Sequence, residues 1–130
     1  MIAVDTSALI AILLKEELAD ACRQVLSRDT QPIISAATLA EALIVARGRG
    51  VLADLKSLLS LLPIETLPID EATSLRVAAI QAVWGKRNHP AALNIMDCFS
   101  YDVAKENDCP LLYIGNDFSQ TDIRSALEPD

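Results

Sequence analysis

The stretch that decides the fold is Ile2-Ala3-Val4-Asp5-Thr6-Ser7-Ala8, which leads into the apolar residues 9–14. Consecutive apolar residues are typical of a short buried strand, whereas Asp, Thr and Ser favour the first turn of a helix. A strand that passes directly into a helix is typical of an α/β protein. Asp5 is the only charged residue between Met1 and Leu14. The stretch therefore predicts a lone carboxylate at the carboxyl end of the first strand.

The rest of the chain continues the alternation of strands and helices. Further strands are predicted over residues 32–35, 64–67 and 111–114, and a short edge strand over residues 123–127. Helices are predicted over residues 8–14, 18–26, 36–47, 52–62, 71–84 and 93–107, and a basic loop over residues 85–90. With no repeat or linker, this pattern indicates a single domain over residues 1–130, an α/β sandwich with a parallel sheet.

Two more acids are as isolated as Asp5. Glu41 and Asp97 are each the only charge in a long uncharged run. A carboxylate in an apolar segment is costly to bury unless it is paired, hydrogen-bonded or bound to a metal. The topology directs all three toward the carboxyl edge of the sheet, where Asp117 follows the last predicted strand. A divalent cation held between the four acids is the simplest shared explanation.

Each acid also has an ordinary explanation when it is taken alone. Asp5 and Asp97 are suitable helix caps, and Asp117 lies in a turn-prone segment. Glu41 is open to pairing with Arg47 or a backbone amide. Asp122, a little further on, is predicted to lie on the surface. The agreement of all four positions favours the metal site, and clustered carboxylates suit Mg²⁺ or Mn²⁺ and the hydrolysis of a phosphodiester.

Composition narrows the class of protein further. The formal net charge of −7, from 18 acids against 11 Lys and Arg, excludes the basic footprint of most nucleic-acid binders. The three cysteines, Cys22, Cys98 and Cys109, form no metal-binding pair, which favours reduced thiols in a cytoplasmic protein. The N-terminus is unlike a signal peptide, and no apolar run is long enough to predict a membrane span.

Four segments in this order resemble a PIN-domain ribonuclease, most closely a VapC-type toxin of a bacterial toxin–antitoxin pair. They are residues 2–8, 35–41, 89–101 and 111–118. The resemblance implies a PIN-like, three-layer α/β/α sandwich with a central parallel sheet of four to five strands. It also implies an endoribonuclease that depends on Mg²⁺, with Mn²⁺ as a substitute, and acts on RNA, with tRNA as the favoured target.

The resemblance implies roles for named residues as well. The catalytic quartet would be Asp5, Glu41, Asp97 and Asp117. Asp5 and Asp97 would bind the metal directly, and Glu41 and Asp117 would act through water or a second ion. Thr6 and Ser7 would support the site, and Asn116 would orient Asp117. Related members often carry Gly where this chain has Met96, a side chain that crowds or tunes the cleft.

The basic loop supplies the candidates for contact with RNA. They are Lys86, Arg87 and His89, which lie next to the third acid in sequence. A solvated loop without a ligand is the alternative for these residues. Trp84 is expected to be core, with stacking on a base as the alternative.

Family members are usually homodimers that a small cognate antitoxin neutralises. The resemblance implies that the antitoxin covers an apolar groove and places an Arg or Lys in the acidic site. The apolar residues 9–14 and 52–62 are candidate contact surfaces, with ordinary core as the alternative.

Two other functions compete with the ribonuclease. The first is a PIN-like module that binds partners without catalysis. The second is a phosphotransfer or phosphatase domain with Asp5 as its nucleophile. Such domains usually carry a second acid two residues later, where this chain has Ser7.

Overall fold

The computed structural model describes residues 1–28 and 31–127. Within these residues, strands and helices follow in the order β1 Ile2–Val4, α1 Thr6–Leu13, α2 Ala19–Arg28, β2 Pro32–Ser35, α3 Ala36–Gly48, α4 Leu52–Leu61, β3 Glu65–Leu67, α5 Glu71–Trp84, α6 Ile95–Glu106 and β4 Leu111–Leu112. No helix of this part of the chain has the length and apolarity needed to cross a membrane.

The four strands form one parallel sheet in the order β3-β2-β1-β4. In the register of the sheet, Ala3 of β1 lies beside Ile33 of β2 and Leu111 of β4. β2 and then β3 lie on one side of β1, and β4, the last strand in the chain, lies on the other side. The strand order therefore reverses between β1 and β4, which is where an open α/β sheet forms a crevice at its carboxyl edge.

Alternate residues of the strands face two separate apolar cores. Ala3, Ile33 and Leu111 pack with the buried side chains of α5 and α6. Their neighbours Val4, Ile34 and Leu112 pack with those of α1 to α4. Because successive strand residues point to opposite faces, a parallel sheet between two helical layers needs such continuous apolar strands. The structure confirms the predicted three-layer α/β/α sandwich.

Most predicted elements are present, with shifts at their ends. β4 ends at Leu112, two residues before the predicted end, and α2 spans Ala19–Arg28. The predicted edge strand at residues 123–127 is only a single parallel bridge between Leu111 and Ser125. Two backbone hydrogen bonds hold this bridge. The Leu111 amide donates to the Arg124 carbonyl, and the Ala126 amide donates to the Leu111 carbonyl. Cys22, Cys98 and Cys109 are all buried.

The last helix begins later than the sequence pattern predicted. Asn94 caps α6, and its side chain and that of Asp97 bond to each other's backbone amides. Leu93 therefore stays outside the helix, where it forms a parallel bridge with Gly85 and its amide donates to the Trp84 carbonyl. This bridge closes the basic loop at its base.

Candidate active site

Asp5 lies where β1 ends and α1 begins, with only 7% of its surface exposed. Its Oδ2 accepts hydrogen bonds from the Ser7 amide at 3.1 Å and the Ser7 hydroxyl at 2.7 Å. Its Oδ1 accepts from the Ser100 hydroxyl at 2.6 Å. Asp5 is thus a helix cap, as its ordinary explanation required, and also a carboxylate fixed at the carboxyl edge of the sheet.

Ser7 joins Asp5 to the neighbouring strand. The Ile114 amide, just past β4, donates to the Ser7 hydroxyl at 3.0 Å while that hydroxyl donates to Asp5. One side chain therefore spans the crevice between β1 and β4. This contact fits the supporting role predicted for Ser7.

Glu41 is held by a hydroxyl of α1. The Thr6 hydroxyl lies 2.6 Å from Glu41 Oε1 and 3.2 Å from the Thr38 carbonyl, one turn earlier in α3. The partner of Glu41 Oε1 is thus a side-chain hydroxyl, which the ordinary explanation did not name. Since Thr6 directly follows Asp5, the contact brings α3 and the second acid to the end of β1.

Asp97 occupies the first turn of α6 and is partly buried. Its Oδ2 accepts from the Asn94 amide at 3.0 Å, and its own amide donates to Asn94 Oδ1 at 2.9 Å. Burial first, and then the negative charges of Asp117, Asp5 and Glu41, raise the pKa of Asp97 to about 6, whereas the hydrogen bond from the Asn94 backbone lowers it. Charge repulsion of this kind falls off within about 10 Å in salt solution, so the four acids share one neighbourhood.

Asp117 is exposed in the loop after β4. Gly115 precedes it with φ +98, a conformation that favours glycine. The Asn116 carbonyl accepts from the amide and hydroxyl of Ser119, so the segment is also a turn. In the described part of the chain no hydrogen bond joins the Asn116 side chain to Asp117, and the orienting role of Asn116 stays a prediction.

Ser100 and Thr38 are site residues that the sequence did not predict. The Ser100 hydroxyl donates to Asp5 and lies 3.2 Å from the Thr38 hydroxyl, and both residues are buried. Ser100 follows Asp97 by three residues, which puts both on one face of α6. That helical spacing was the signal in the sequence that could have found Ser100, whereas nothing in the sequence pairs Thr38 with it.

The acids suit a hard cation by their chemistry, but they do not enclose one. Within residues 1–28 and 31–127, no three His, Cys, Asp or Glu side chains are close enough to hold a metal ion together. Asp5 and Glu41 are bonded to hydroxyls instead, and Asp97 to a backbone amide. Carboxylate oxygens are the ligands that Mg²⁺ and Mn²⁺ prefer, so these acids fit such an ion by their chemistry.

The basic loop lies between α5 and Asn94, close to Asp97 in sequence. A Cβ at Gly85 would clash with the Gln81 carbonyl oxygen, so a larger residue here would force the backbone to shift. Lys86 and Arg87 are exposed, and Arg87 has φ +79. His89 instead packs edge-on to Trp84 at 4.6 Å and accepts from the Ala91 amide through Nδ1. Its contacts are structural, and any contact with RNA stays a prediction.

An apolar pocket of about 360 Å³ lies beside Glu41. Met96, the departure noted in the sequence, lines it together with Ala37, Ala40 and Ile44. Ile44 is 72% exposed at its rim.

The two predicted contact helices differ. In α1, Leu9, Ile10 and Ile12 are buried in the core, so the expectation of a contact surface there was wrong for these residues. The reason is that α1 packs beside α2 and α3 and shares an apolar core with strand residues such as Val4 and Leu112. In α4, Leu55 is buried but Leu61 is 80% exposed.

A family model for the PIN domain matches residues 2–124, and the chain belongs to the PIN-domain family. Within that family it is similar to proteins named VapC ribonucleases. A VapC ribonuclease of Rhizobium meliloti is 36% identical over 92% of this chain and 97% of its own length. Ribonuclease VapC30 of Mycobacterium tuberculosis is 34% identical over 97% of this chain and 98% of its own length.

Two solved structures share the fold. The crystal structure of VapC20 of Mycobacterium tuberculosis, a sarcin–ricin loop cleaving toxin, has a TM-score of 0.75 at 12% identity, over 95% of this chain and 96% of that chain. A toxin–antitoxin complex from Klebsiella pneumoniae has a TM-score of 0.70 at 19% identity, over 94% and 93%. These matches confirm the PIN-like architecture.

Proposed function

We propose that this chain is an endoribonuclease that depends on Mg²⁺, or on Mn²⁺ as a substitute, and acts in the cytoplasm as the toxin of a toxin–antitoxin pair. The observation that carries the proposal is that burial, and then the charges of Asp117, Asp5 and Glu41, raise the pKa of Asp97 to about 6. Four acids at the carboxyl edge of β1 and β4 repel one another, and a cation removes that repulsion.

Asp5 and Asp97 would hold the cation directly, and Glu41 and Asp117 would do so through water or a second ion. A bound cation would stabilise charge on the phosphate and lower the pKa of a water molecule. The protein's own part is positioning. Ser7 and Ser100 hold both oxygens of Asp5, and Thr6 holds Glu41. A pKa near 6 leaves Asp97 mostly ionised at neutral pH, ready to act as an oxygen ligand.

The substrate is proposed to be RNA, with tRNA as the favoured target. Support comes from the names of the relatives, which are ribonucleases, and from exposed Lys86 and Arg87 next to the start of α6. VapC20, which shares this fold, is a toxin that cleaves a different RNA target, the sarcin–ricin loop. Sequencing RNA ends after induced expression distinguishes the two: clustered ends in tRNA support the proposal, and ends confined to ribosomal RNA contradict that target.

A small antitoxin and a second copy of the chain are the proposed protein partners. The toxin–antitoxin complex among the structural neighbours supports the antitoxin. Exposed apolar side chains support contact surfaces of this kind: Ile44, Leu61, Leu75 and Val83. Sedimentation at several concentrations, alone and with the product of a neighbouring small reading frame, tests both partners.

The experiment that tests the activity is RNA cleavage by the purified chain in Mg²⁺, in Mn²⁺ and in chelator. Cleavage with either cation and none in chelator is expected. Asp5→Asn and Asp97→Asn should each lose about 10²-fold or more in rate, as is usual for loss of a charge-stabilising group. Asp108→Asn is the matched control, because Asp108 is a fully exposed acid. Cleavage in chelator, or equal rates in both site variants and wild type, would contradict the proposal.

The competing functions give different results in the same assay. An aspartyl-phosphate would require Asp5 to act as the nucleophile, and the hydrogen bonds that both of its oxygens accept reduce that reactivity. A trapped phosphorylated Asp5 would support that alternative. A PIN-like module without catalysis would bind RNA or antitoxin and give no cleavage under any condition.

A further inference from the structure

Asp122 is more than the surface acid that the sequence predicted. Its Oδ1 accepts a 2.7 Å hydrogen bond from the Tyr101 hydroxyl, and its Oδ2 accepts one of 2.7 Å from Lys105 Nζ. Tyr101 and Lys105 are one turn apart on the same face of α6. The end of the loop that carries Asp117 is therefore fastened to α6 through both carboxylate oxygens of Asp122.

The Tyr101 hydroxyl also accepts a hydrogen bond from a second element. Trp84 Nε1, at the end of α5, donates to the Tyr101 hydroxyl at 3.0 Å. Trp84 also packs edge-on to His89 of the basic loop, whose Nδ1 accepts from the Ala91 amide. Tyr101 is only 6% exposed. One nearly buried hydroxyl thus joins the Asp117 loop to the basic loop.

The spacing along α6 relates this junction to the acids. Tyr101 follows Asp97 by four residues, so both lie on one face of the helix. In the facing loop, Asp117 precedes Asp122 by five residues and is the first of the charges that raise the pKa of Asp97. Two residues of α6 therefore interact with two residues of the Asp117 loop: Asp97 with Asp117, and Tyr101 with Asp122.

Phe118 also anchors the Asp117 loop. Phe118 is 1% exposed and packs against Tyr113 with ring centroids 5.1 Å apart. Between Gly115, whose φ is +98, and buried Phe118, Asp117 itself is exposed. Its distance from Asp97 therefore depends on how firmly the two ends of the loop are held. Burial and the hydrogen bond to Asp122 raise the pKa of Tyr101 to about 12, so its hydroxyl keeps the proton that it donates.

We propose that Tyr101 is a positioning residue whose hydroxyl holds the Asp117 loop and the basic loop in fixed relation to Asp97. The proposal rests on the proposed ribonuclease function for its catalytic consequence. Its structural consequence, that two loops separated in sequence loosen together when one oxygen is removed, is independent of any activity.

The test is Tyr101→Phe, which removes the hydroxyl and keeps the ring. Amide hydrogen exchange over residues 115–123 should become roughly tenfold faster or more, as expected for loss of a hydrogen bond to a charged group, with α1 unchanged. Trp84 is the only tryptophan, so its quenching by acrylamide reports on the basic loop and should increase. In the cleavage assay, kcat should fall more than KM rises, and half-maximal rate should need more Mn²⁺.

Two matched variants separate positioning from general loss of stability. Asp122→Asn keeps an oxygen that accepts from Tyr101 and should retain slow exchange over residues 115–123, whereas Asp122→Ala should not. Lys105→Gln removes the exposed ion pair and should speed exchange over residues 115–123 far less than Tyr101→Phe does. Thermal unfolding identifies any variant that has lost its fold.

Unchanged exchange and unchanged quenching in folded Tyr101→Phe would overturn the proposal. So would Asp122→Asn if it loosened the loop as much as Asp122→Ala. If wild type cleaves no RNA with either cation, the proposed function fails, but exchange and quenching still decide whether Tyr101 holds the two loops.

Discussion

The pKa of Asp97 is set by two opposing effects. Its carboxylate accepts from the Asn94 amide, which stabilises the start of α6 and favours the ionised form. Burial and the charges of Asp117, Asp5 and Glu41 favour the protonated form and win, because they raise its pKa to about 6. If Asp97 binds a cation as proposed, its charge therefore weakens the fold when that cation is absent.

The pH dependence of stability tests this balance at the level of the residue. The unfolded state releases the Asp97 proton near pH 4 and the folded state near pH 6. The folded state thus binds more protons between these values, and the contribution of Asp97 to stability falls as pH rises from about 4 to about 6. In metal-free protein at pH 7, Asp97→Asn should be more stable by about 1 kcal/mol, since solvent screens part of the repulsion.

Urea unfolding across pH 4 to 7 in chelator, about the range in which the group titrates, measures this effect. The difference between wild type and Asp97→Asn should grow through that range and then level off. A pH-independent difference would show that Asp97 carries no raised pKa. Asp108→Asn, the exposed control, should follow wild type throughout.

Helix α6 is the element that organises both the site and the core. Asp97 and Ser100 face the acids, and Tyr101 faces the loops. Asp102 points elsewhere: it is 3% exposed and receives two hydrogen bonds from Arg76 of α5, at 2.7 and 3.1 Å. This second buried acid is structural, and it shows that isolation in an apolar segment is not the only sign of burial.

Breaking the Arg76–Asp102 ion pair between α5 and α6 should destabilise the fold without changing the proposed cleavage reaction. Arg76→Met leaves Asp102 buried without its partner, and we expect a loss of about 2 kcal/mol in the free energy of unfolding. Adding Asp102→Asn should restore part of it, because the uncompensated charge is removed. Urea unfolding measures both variants, and a double variant as unstable as the sum of the single changes would contradict this role of the pair.

Met96 in the first turn of α6 lines the pocket beside Glu41. If this side chain restricts the entry of RNA, Met96→Ala should raise kcat/KM through a lower KM, with little effect on the helix. Met96→Gly opens the pocket further and should cost about 1 kcal/mol of stability from helix propensity. Steady-state cleavage kinetics measures both variants, and a KM that rises in both would show that Met96 contacts the substrate favourably.

At the scale of the whole molecule, the sequence predicted the architecture and the neighbourhood of the acids. Short apolar strands that pass straight into helices, as at Asp5, leave few alternatives to a parallel sheet between helical layers. The same topology placed Asp5, Glu41, Asp97 and Asp117 at one edge, and the charges that raise the pKa of Asp97 agree with it.

The partners of the acids were not predictable, because they come from distant parts of the chain. Ser100 donates to Asp5 across 95 residues, and Thr6 donates to Glu41 across 35. No periodicity encodes such pairs. The role of Asp122 was missed for the same reason, since its partners lie on α6. Helix α1 was misjudged as a surface because an apolar helix beside the central strand is covered on more than one side.

The net charge of −7 also predicts how the protein would bind RNA. With little general attraction for phosphates, binding should depend on a few local cations. Lys86→Ala with Arg87→Ala should raise KM several-fold, about 1 kcal/mol of binding for a few phosphate contacts. The matched control is Arg47→Ala with Arg49→Ala, the same change of charge on exposed residues at the far end of α3. Equal KM values for the two double variants would contradict the assignment.

The most direct test of the central claim, that the four acids form one cation site, is calorimetric titration of Mn²⁺ into the metal-free chain at neutral pH. Wild type should show saturable binding that Asp5→Asn and Asp97→Asn abolish and that Glu41→Gln and Asp117→Asn weaken. Asp108→Asn should bind as wild type does. Binding that is unchanged in all four site variants, or absent from wild type, would contradict a shared site.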